Sequence, residues 1–336
     1  MRVVKLEVIG FPDRHLDCYE ASLMSILRYM GLPEETPLMG GTHSYFTLDE
    51  DNLRVWPRVH FIQHEWRRMH GLKIETSAVT HEANLQEQLV DKLDNGIPVC
   101  LPADIYFLSH TSHYRRLHMV HHLDIFGYND DQYYIVSPYY RFQGWMDVSV
   151  LHSSVFSPAN SHRRLIFVPE LVWKPLSTEQ VKALVRESCE YMLGMVIPEA
   201  VANRDSRQLG LTGILSFAAL VRALTEKQHE NLQASLLKLS AQVMAIGYSR
   251  YWLQRLIQSC QPSLLSTQVM SGLSDLFSTI VSAWRAVGMR FGAAIHAHDR
   301  DIVERAGYRI EELYGQEYQL FNSLLGALPG YDEGRL

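Results

Sequence analysis

The chain has 336 residues, of which 47% are hydrophobic and 20% charged, a composition typical of a soluble globular protein with room for two domains. Its formal net charge of -6 argues against nucleic acid as the main partner. The sequence has no apolar run of about 18 residues, the length that spans a bilayer, so we expect no membrane partner. Residues 1–7 indicate a strand and not a signal peptide, because they lack a long apolar core. We therefore expect a cytoplasmic protein.

The first part of the chain predicts one long helix and a mostly antiparallel sheet. Leu23, Ile26, Leu27 and Met30 recur at helical spacing, which predicts a helix over residues 18–30. The other predicted elements are a helix at about 82–94, strands at 97–101, 123–126, 133–136 and 163–168, and a turn at 128–132. A helix at the N-terminus followed by such a sheet indicates the α+β class.

A domain boundary is predicted near residues 168–178, where strand-like runs give way to long amphipathic stretches. Ser177 or Thr178 is expected to cap the first helix of the second part. Further helices are predicted at about 207–224, 226–247, 249–259, 263–289 and 299–327. We therefore expect two domains, residues 1–172 and an all-α domain of residues 173–336. Most apolar stripes on these helices should pack in the core, and exposed ones should provide a homodimer or carrier-protein surface.

Cysteine and histidine spacing argues against a metal site. Residues 110–122 contain five histidines, but they include no i, i+4 histidine pair with a glutamate. The four cysteines lie far apart and form no C-x-x-C pair, which suits reduced cytosolic thiols. They are Cys18, Cys100, Cys189 and Cys260. We expect no metal ion and no cofactor of the protein's own.

Cys18 lies at the start of the predicted N-terminal helix, after the polar residues 13–17. The positive end of a helix dipole lowers the pKa of a thiol and favours the thiolate, which is the nucleophilic form. The alternative is a buried core cysteine, because a free cysteine behaves as a small hydrophobe. The position at a helix start favours the nucleophile.

Two adjacent histidines, His121 and His122, open a later predicted strand. Cysteine chemistry needs a base that holds the thiol proton and returns it to the leaving group. Side chains alternate along a strand, so the two histidines point to opposite faces of the sheet. Only one of them can face Cys18.

Residues 121–128 resemble the histidine strand of papain-like cysteine peptidases of the bacteriocin-leader-processing type. The resemblance selects His121 as the base, because the histidine of that pattern stands six residues before the glycine, here Gly127. It also implies an Asp or Asn at the end of the next strand, to orient the histidine. This chain has Ser137 at that position, so either a Cys–His dyad operates with a weak orienting group, or Asp104 supplies the acid.

The same resemblance leaves the oxyanion donors and the substrate contacts open. The backbone N–H of Cys18 is one expected donor, but Pro12 stands where such enzymes often have a glutamine and has no N–H to give. Arg14 or His15 is the expected substitute. Arg115 and Arg116, in the histidine-rich stretch, are expected to meet a phosphate or an acidic carrier surface, with His122 beside the substrate.

The resemblance extends to a family. Residues 18–31, 98–108 and 121–128 are similar to the N-terminal domain of the butirosin biosynthesis protein H family, and the last helices resemble the helical domain often fused to it. This implies a papain-like fold and transfer of an acyl group from an acyl-carrier-protein thioester, through Cys18, to a small-molecule amine in natural-product biosynthesis. The phosphopantetheine arm of the carrier would then be part of the substrate.

Two other functions stay open. A cysteine hydrolase, either a thioesterase or a peptidase, would form the same acyl-enzyme and pass the acyl group to water. A non-catalytic binding or scaffold protein would have kept the fold and lost the activity. The serine at position 137 and the proline at position 12 are the features that favour this last reading.

Overall fold

The computed structural model describes residues 3–51, 53–58, 61–198, 209–226, 232–261, 263–297 and 299–331. The chain forms two compact units. The first, called the sheet unit, contains Met1–Glu35 and Gly71–Trp173, and the second, the helical unit, contains Thr36–His70 and Lys174–Leu336. The expected division into residues 1–172 and 173–336 is therefore corrected for residues 36–70, which belong to the helical unit.

One antiparallel sheet forms the centre of the sheet unit. Its strands are β1 (Val4–Lys5), β4 (Glu75–Ala78), β5 (Val99–Asp104), β6 (Val120–Tyr128), β7 (Gln132–Ser137), β8 (Phe142–Asp147) and β9 (Arg164–Phe167). They lie in the order β4-β9-β5-β6-β7-β8, with β1 paired to β6. The helices of this unit are α1 (Cys18–Tyr29), α4 (Glu82–Asp94) and α5 (Val148–Val155). The predicted α+β class, with an antiparallel sheet and a helical C-terminal region, is confirmed.

Helix α1 begins at Cys18 because Asp17 caps it. Oδ1 of Asp17 accepts the backbone N–H of Glu20 at 2.8 Å, and Oε2 of Glu20 accepts the N–H of Asp17 at 3.1 Å. This reciprocal pair is a capping box, which satisfies two backbone donors at the helix start. Leu23 and Leu27 are fully buried on the inner face of the helix. Burial of each such side chain contributes about 1.5–3 kcal/mol to stability.

The two faces of β6 meet different helices, because side chains alternate along a strand. Leu123 and Ile125, on one face, join an apolar cluster with residues of α4 and α5. Phe126, on the other face, makes an edge-to-face contact with Tyr29 of α1, with ring centroids 5.7 Å apart. Helix α1 therefore lies over the even-numbered residues of β6 as far as Phe126.

In the ranges that the structure describes, the helical unit combines five long helices with a smaller segment. The long helices are α6 (Thr178–Met192), α7 (Gly210–Glu226), α8 (Leu232–Ser259), α9 (Thr267–Ala297) and α10 (Arg300–Ala327), and the segment contains α2 (Thr36–Gly40), β2 (Thr47–Asp49), β3 (Arg54–Trp56) and α3 (Ile62–His70). The segment belongs to this unit because Tyr45, Phe46 and Val55 are buried in the same apolar cluster as the long helices. Within the described ranges, no helix is both long enough and apolar enough to cross a membrane.

Helix α8 is continuous where the sequence predicted two helices that meet near residue 248. Gly247 lies at a close approach to α9. A Cβ atom there would lie 3.1 Å from the carbonyl oxygen of Val281 and 3.2 Å from Cβ of Trp284. This glycine lets two helices pack closely and does not end a helix, so the prediction of a break is wrong.

A fully buried ion pair joins the segment to the long helices. Nε of Arg250 donates to both carboxylate oxygens of Glu317 at 3.1 Å, and Nε1 of Trp284 donates to Oε1 of Glu317 at 2.7 Å. Nη1 of Arg250 donates to Oγ of Ser44 at 2.7 Å and to the carbonyl oxygen of Tyr45 at 3.2 Å. The ion pair therefore connects α8, α9 and α10 with the residues before β2.

We expect Glu317→Ala to lower the free energy of unfolding by about 3–5 kcal/mol, because it leaves the buried guanidinium of Arg250 without its counter-ion. Urea denaturation measures this. Glu311→Ala is the matched control, since Glu311 pairs with Arg222 on the surface, and its loss should cost less than about 1 kcal/mol. Equal effects of the two substitutions would contradict the structural role of the buried pair.

Candidate active site

Cys18 is the first residue of α1 and lies against β6. Its Sγ is 3.7 Å from Nδ1 of His122, within hydrogen-bond distance for sulfur. The ring of Tyr19 packs on the imidazole of His122, with centroids 4.9 Å apart. The structure therefore brings together a thiol and an imidazole from the two elements that the sequence indicated.

The histidine beside Cys18 is His122, which corrects the choice of His121. Helix α1 lies over the even-numbered face of β6, and His122 is on that face together with Phe126. His121 points to the opposite face and is almost fully buried. The resemblance that selected His121 counts residues along the strand, but the contact with Cys18 depends on which face α1 covers.

His121 and Ser137 do form the expected pair, but on the face away from Cys18. Nε2 of His121 is 3.0 Å from Oγ of Ser137, and both side chains are buried. The rings of Tyr139 and Tyr140 pack on His121, with centroids 6.0 and 4.9 Å away. Ser137 therefore holds His121, and it does not orient the histidine that faces the thiol.

Asp104, the alternative acid, is occupied elsewhere. Its Oδ1 accepts the backbone N–H groups of Tyr106 and Met119 at 3.1 and 3.2 Å. Its Oδ2 accepts a hydrogen bond from Oγ of Ser157 at 2.6 Å and lies 2.7 Å from Nδ1 of His118. With both oxygens engaged by these partners, Asp104 is not the orienting acid of His122, and the expectation is corrected.

The electrostatics of the pair differ from the expectation of a helix-activated thiolate. The pKa of Cys18 is raised to about 12, mainly by burial and in smaller part by the negative charge of Asp17, although the backbone N–H groups of His122, Tyr19 and Cys18 partly offset this. The helix dipole is outweighed because the capping residue carries a negative charge and the sulfur is packed among protein atoms. The resting thiol is therefore protonated at neutral pH.

His122 is also neutral in the resting site. Its pKa is lowered to about 3, mainly by burial and in smaller part by its electrostatic interactions with Arg164 and His162. Within the described residues, no carboxylate is among the groups that shift it. The arrangement is a neutral dyad in which Nδ1 of His122 can take the thiol proton as Cys18 attacks.

Four other residues were predicted to contribute to the site, and they are Arg14, His15, Arg115 and Arg116. Arg14 is exposed, and His15 is held by Asp13, whose Oδ1 lies 2.7 Å from Nδ1 of His15. Arg115 and Arg116 are exposed on the loop between β5 and β6. The roles of these four side chains in substrate binding and oxyanion stabilisation therefore stay predictions.

Asp124 is a residue that the sequence reasoning did not select. It follows His122 on the same face of β6, is fully buried beneath α1, and faces Ser22, Ser25 and Cys100. Burial raises the pKa of this carboxyl well above the usual range and so favours its protonated form, while Ser22, Ser25 and Cys100 oppose the shift in part. An aspartate inside an otherwise apolar strand was the sequence signal for it.

The described residues contain no group of three or more His, Cys, Asp or Glu side chains placed to hold a metal ion.

Comparison with known families gives a match over part of the chain. Residues 17–138 match the family model described as butirosin biosynthesis protein H, N-terminal. The matched segment includes Cys18, His122 and Ser137. No curated protein matches the chain.

The pH dependence of Cys18 alkylation tests the electrostatics of the dyad. With a pKa raised to about 12, the rate of reaction with iodoacetamide should still rise between pH 8 and 10, because the thiolate fraction keeps growing. The modified peptide is quantified by mass spectrometry, which separates Cys18 from the other cysteines. A pH–rate profile that reaches its plateau below pH 8.5 would show an activated thiolate and contradict the neutral dyad.

Asp17→Asn sharpens this test. Asparagine also caps helices well, so the variant keeps the helix start while it removes the charge next to the thiol. We expect alkylation of Cys18 at pH 8 to become faster than in the parent protein. An unchanged rate would show that Asp17 does not act on the thiol.

Proposed function

Residues 17–138 match the butirosin biosynthesis protein H N-terminal family, and on this premise we propose that the chain is a cysteine-dependent acyltransferase of papain-like type. It moves an acyl group from an acyl-carrier-protein thioester to a small-molecule amine in natural-product biosynthesis. The observation that carries the proposal is the 3.7 Å contact between Sγ of Cys18 and Nδ1 of His122 at the start of α1. The family description, which names a biosynthesis protein, supports it.

In the first step Sγ of Cys18 attacks the thioester carbonyl while Nδ1 of His122 takes the thiol proton. The negative oxygen that forms would be met by the backbone N–H groups of Cys18 and Tyr19, which are directed at the sulfur. The first N–H groups of a helix have no carbonyl partner within the helix, which suits them to this task. The carbon–sulfur bond to the carrier then breaks, and the leaving thiol receives the proton from His122.

In the second step a neutral amine attacks the acyl group on Cys18. His122 removes a proton from the amine, the bond between carbonyl carbon and Sγ breaks, and the proton returns to Cys18. The products are an amide and the free thiol. Each step uses the same base, so the site needs one imidazole with one nitrogen directed at the sulfur.

Thioester chemistry suits this dyad better than peptide hydrolysis. A thiolate leaves readily, whereas the amine of a peptide bond must be protonated by a histidine whose charged form is stabilised. His122 has a lowered pKa and, within the described residues, no carboxylate that shifts it, so its imidazolium is poorly stabilised. This favours a thioester donor over a peptide.

The acyl-enzyme is tested with purified carrier proteins that hold candidate acyl groups. Intact-mass spectrometry should detect one acyl adduct on the parent protein, located at Cys18 by peptide mapping, and none on Cys18→Ala. Addition of candidate amines should discharge the adduct as an amide. Discharge to the free acid at the same rate with and without amines would instead assign a hydrolase, and full turnover by Cys18→Ala would overturn the proposal.

The neighbouring histidines give a matched pair of variants. His122→Asn should slow acylation of Cys18 by about 10²–10⁴-fold, the usual contribution of a general base. His121→Asn removes a histidine of the same strand that faces the other way, and it should keep most of the acylation rate. Circular dichroism confirms that each variant is folded. A larger loss in His121→Asn than in His122→Asn would reverse the assignment of the base.

A further inference from the structure

The loop between β5 and β6 is held in one conformation by its own hydrogen bonds. The backbone N–H of Ile105 donates to the carbonyl of Met119 at 3.0 Å and closes the loop at its base. The N–H of Arg115 donates to the carbonyl of Tyr106, also at 3.0 Å, and Arg115 adopts the left-handed conformation with a φ of 54°. This loop, residues 105–119, therefore has a defined backbone conformation that fixes the positions of its exposed side chains.

The carboxylate of Asp104 orients the imidazole of His118. The carboxylate of Asp104 is fully buried, and its Oδ2 lies 2.7 Å from Nδ1 of His118. The imidazole stacks on the ring of Tyr106, with centroids 4.2 Å apart and an interplanar angle of 13°. The side chain of His118 is nevertheless 54% exposed, so Nε2 is the polar ring atom left to bind a ligand. A buried carboxylate behind an exposed imidazole fixes its orientation, as it does for histidines that bind ligands.

The loop is cationic although the chain as a whole is acidic. Residues 105–119 contain two arginines, three histidines and no acidic residue, in a chain of net charge -6. Arg115 and Arg116 are exposed, and Arg115 lies over the ring of Tyr114. Since Asp104 is buried and engaged by its own partners, the exposed face of the loop carries positive charge.

The loop precedes the strand that carries His122, so a ligand held at the loop must extend along the protein to reach Cys18. His118 precedes His122 by four residues, which separate the two by at most about 13 Å. Nδ1 of His118 lies 2.7 Å from Asp104, whereas His122 has the imidazole nitrogen within hydrogen-bond distance of Sγ of Cys18. A substrate that reaches from the loop to the thiol must be long and must carry negative charge at the end that stays at the loop.

We propose that Arg115, Arg116 and His118 bind the phosphodiester of the phosphopantetheine arm while its thioester reaches Cys18. The inference rests on the proposed function, because it assigns the donor of that reaction. Arginine and an oriented imidazole donate charge-assisted hydrogen bonds to phosphate oxygens. The long pantetheine chain separates the phosphate from the thioester, as the start of β6 separates the loop from the dyad.

The test compares two donors that differ in the phosphate alone, acyl-phosphopantetheine and acyl-pantetheine. The parent protein should acylate Cys18 with a kcat/KM at least tenfold higher for the phosphorylated donor, the equivalent of about 1.4 kcal/mol. The ratio of the two kcat/KM values should fall toward one in the Arg115→Ala/Arg116→Ala variant and in His118→Gln. Lys73→Ala, which removes an exposed cation that pairs with Glu75 in the same unit, should keep the ratio. Equal kcat/KM values for both donors in the parent protein would overturn the inference.

Binding without catalysis separates failure of this inference from failure of the proposed function. Free phosphopantetheine should bind to the Cys18→Ala variant by calorimetry, and pantetheine should bind at least tenfold more weakly. The preference should disappear when the loop substitutions are added. If neither thioester acylates Cys18 but this preference is present, the acyl-transfer proposal fails and the phosphate site stands. If Cys18 is acylated but both ligands bind equally, the phosphate site is wrong.

Discussion

The packing of α1 on the even-numbered face of β6 is the contact on which the candidate site depends. Leu23 and Leu27 are buried on the inner side of the helix, and Tyr29 packs its ring against Phe126 of the strand. The capping box at Asp17 fixes the residue at which the helix starts. Together they place Cys18 over His122. A one-residue change in the register of β6 would present His121 instead, because the side-chain period of a strand is two.

The surroundings of the dyad explain how it can hold both partners neutral. Burial disfavours the thiolate and the imidazolium alike, so the pair stays uncharged until a substrate arrives. Beneath α1, burial raises the pKa of the Asp124 carboxyl beside Ser22, Ser25 and Cys100, so this group favours its neutral form and adds no charge there. Charge would then develop in the transition state, where the N–H groups at the helix start are placed to stabilise it.

Local patterns in the sequence predicted most helices and strands of the sheet unit correctly. The wrong predictions, of the histidine that faces Cys18 and of one part of the domain division, have physical causes. Residues 18–30 and 82–94 were predicted as helices from apolar spacing, and the structure has Cys18–Tyr29 and Glu82–Asp94. The choice between His121 and His122 failed because it depends on a contact between elements distant in sequence. Residues 36–70 were assigned to the wrong unit because their partners, such as Arg250 in α8, come some two hundred positions later. Ser137 was predicted as the partner of His121, and the structure has this pair on the face away from Cys18.

The identity of the histidine that faces Cys18 is the central claim, and a bifunctional reagent tests it most directly. 1,3-Dibromoacetone alkylates a thiol first and then a nucleophilic nitrogen within a few ångströms, so it records which imidazole is adjacent. Mass-spectrometric sequencing of the cross-linked peptides should place the bridge between Cys18 and His122, and His122→Asn should yield Cys18 alkylated without a bridge. A bridge from Cys18 to His121 would contradict the account.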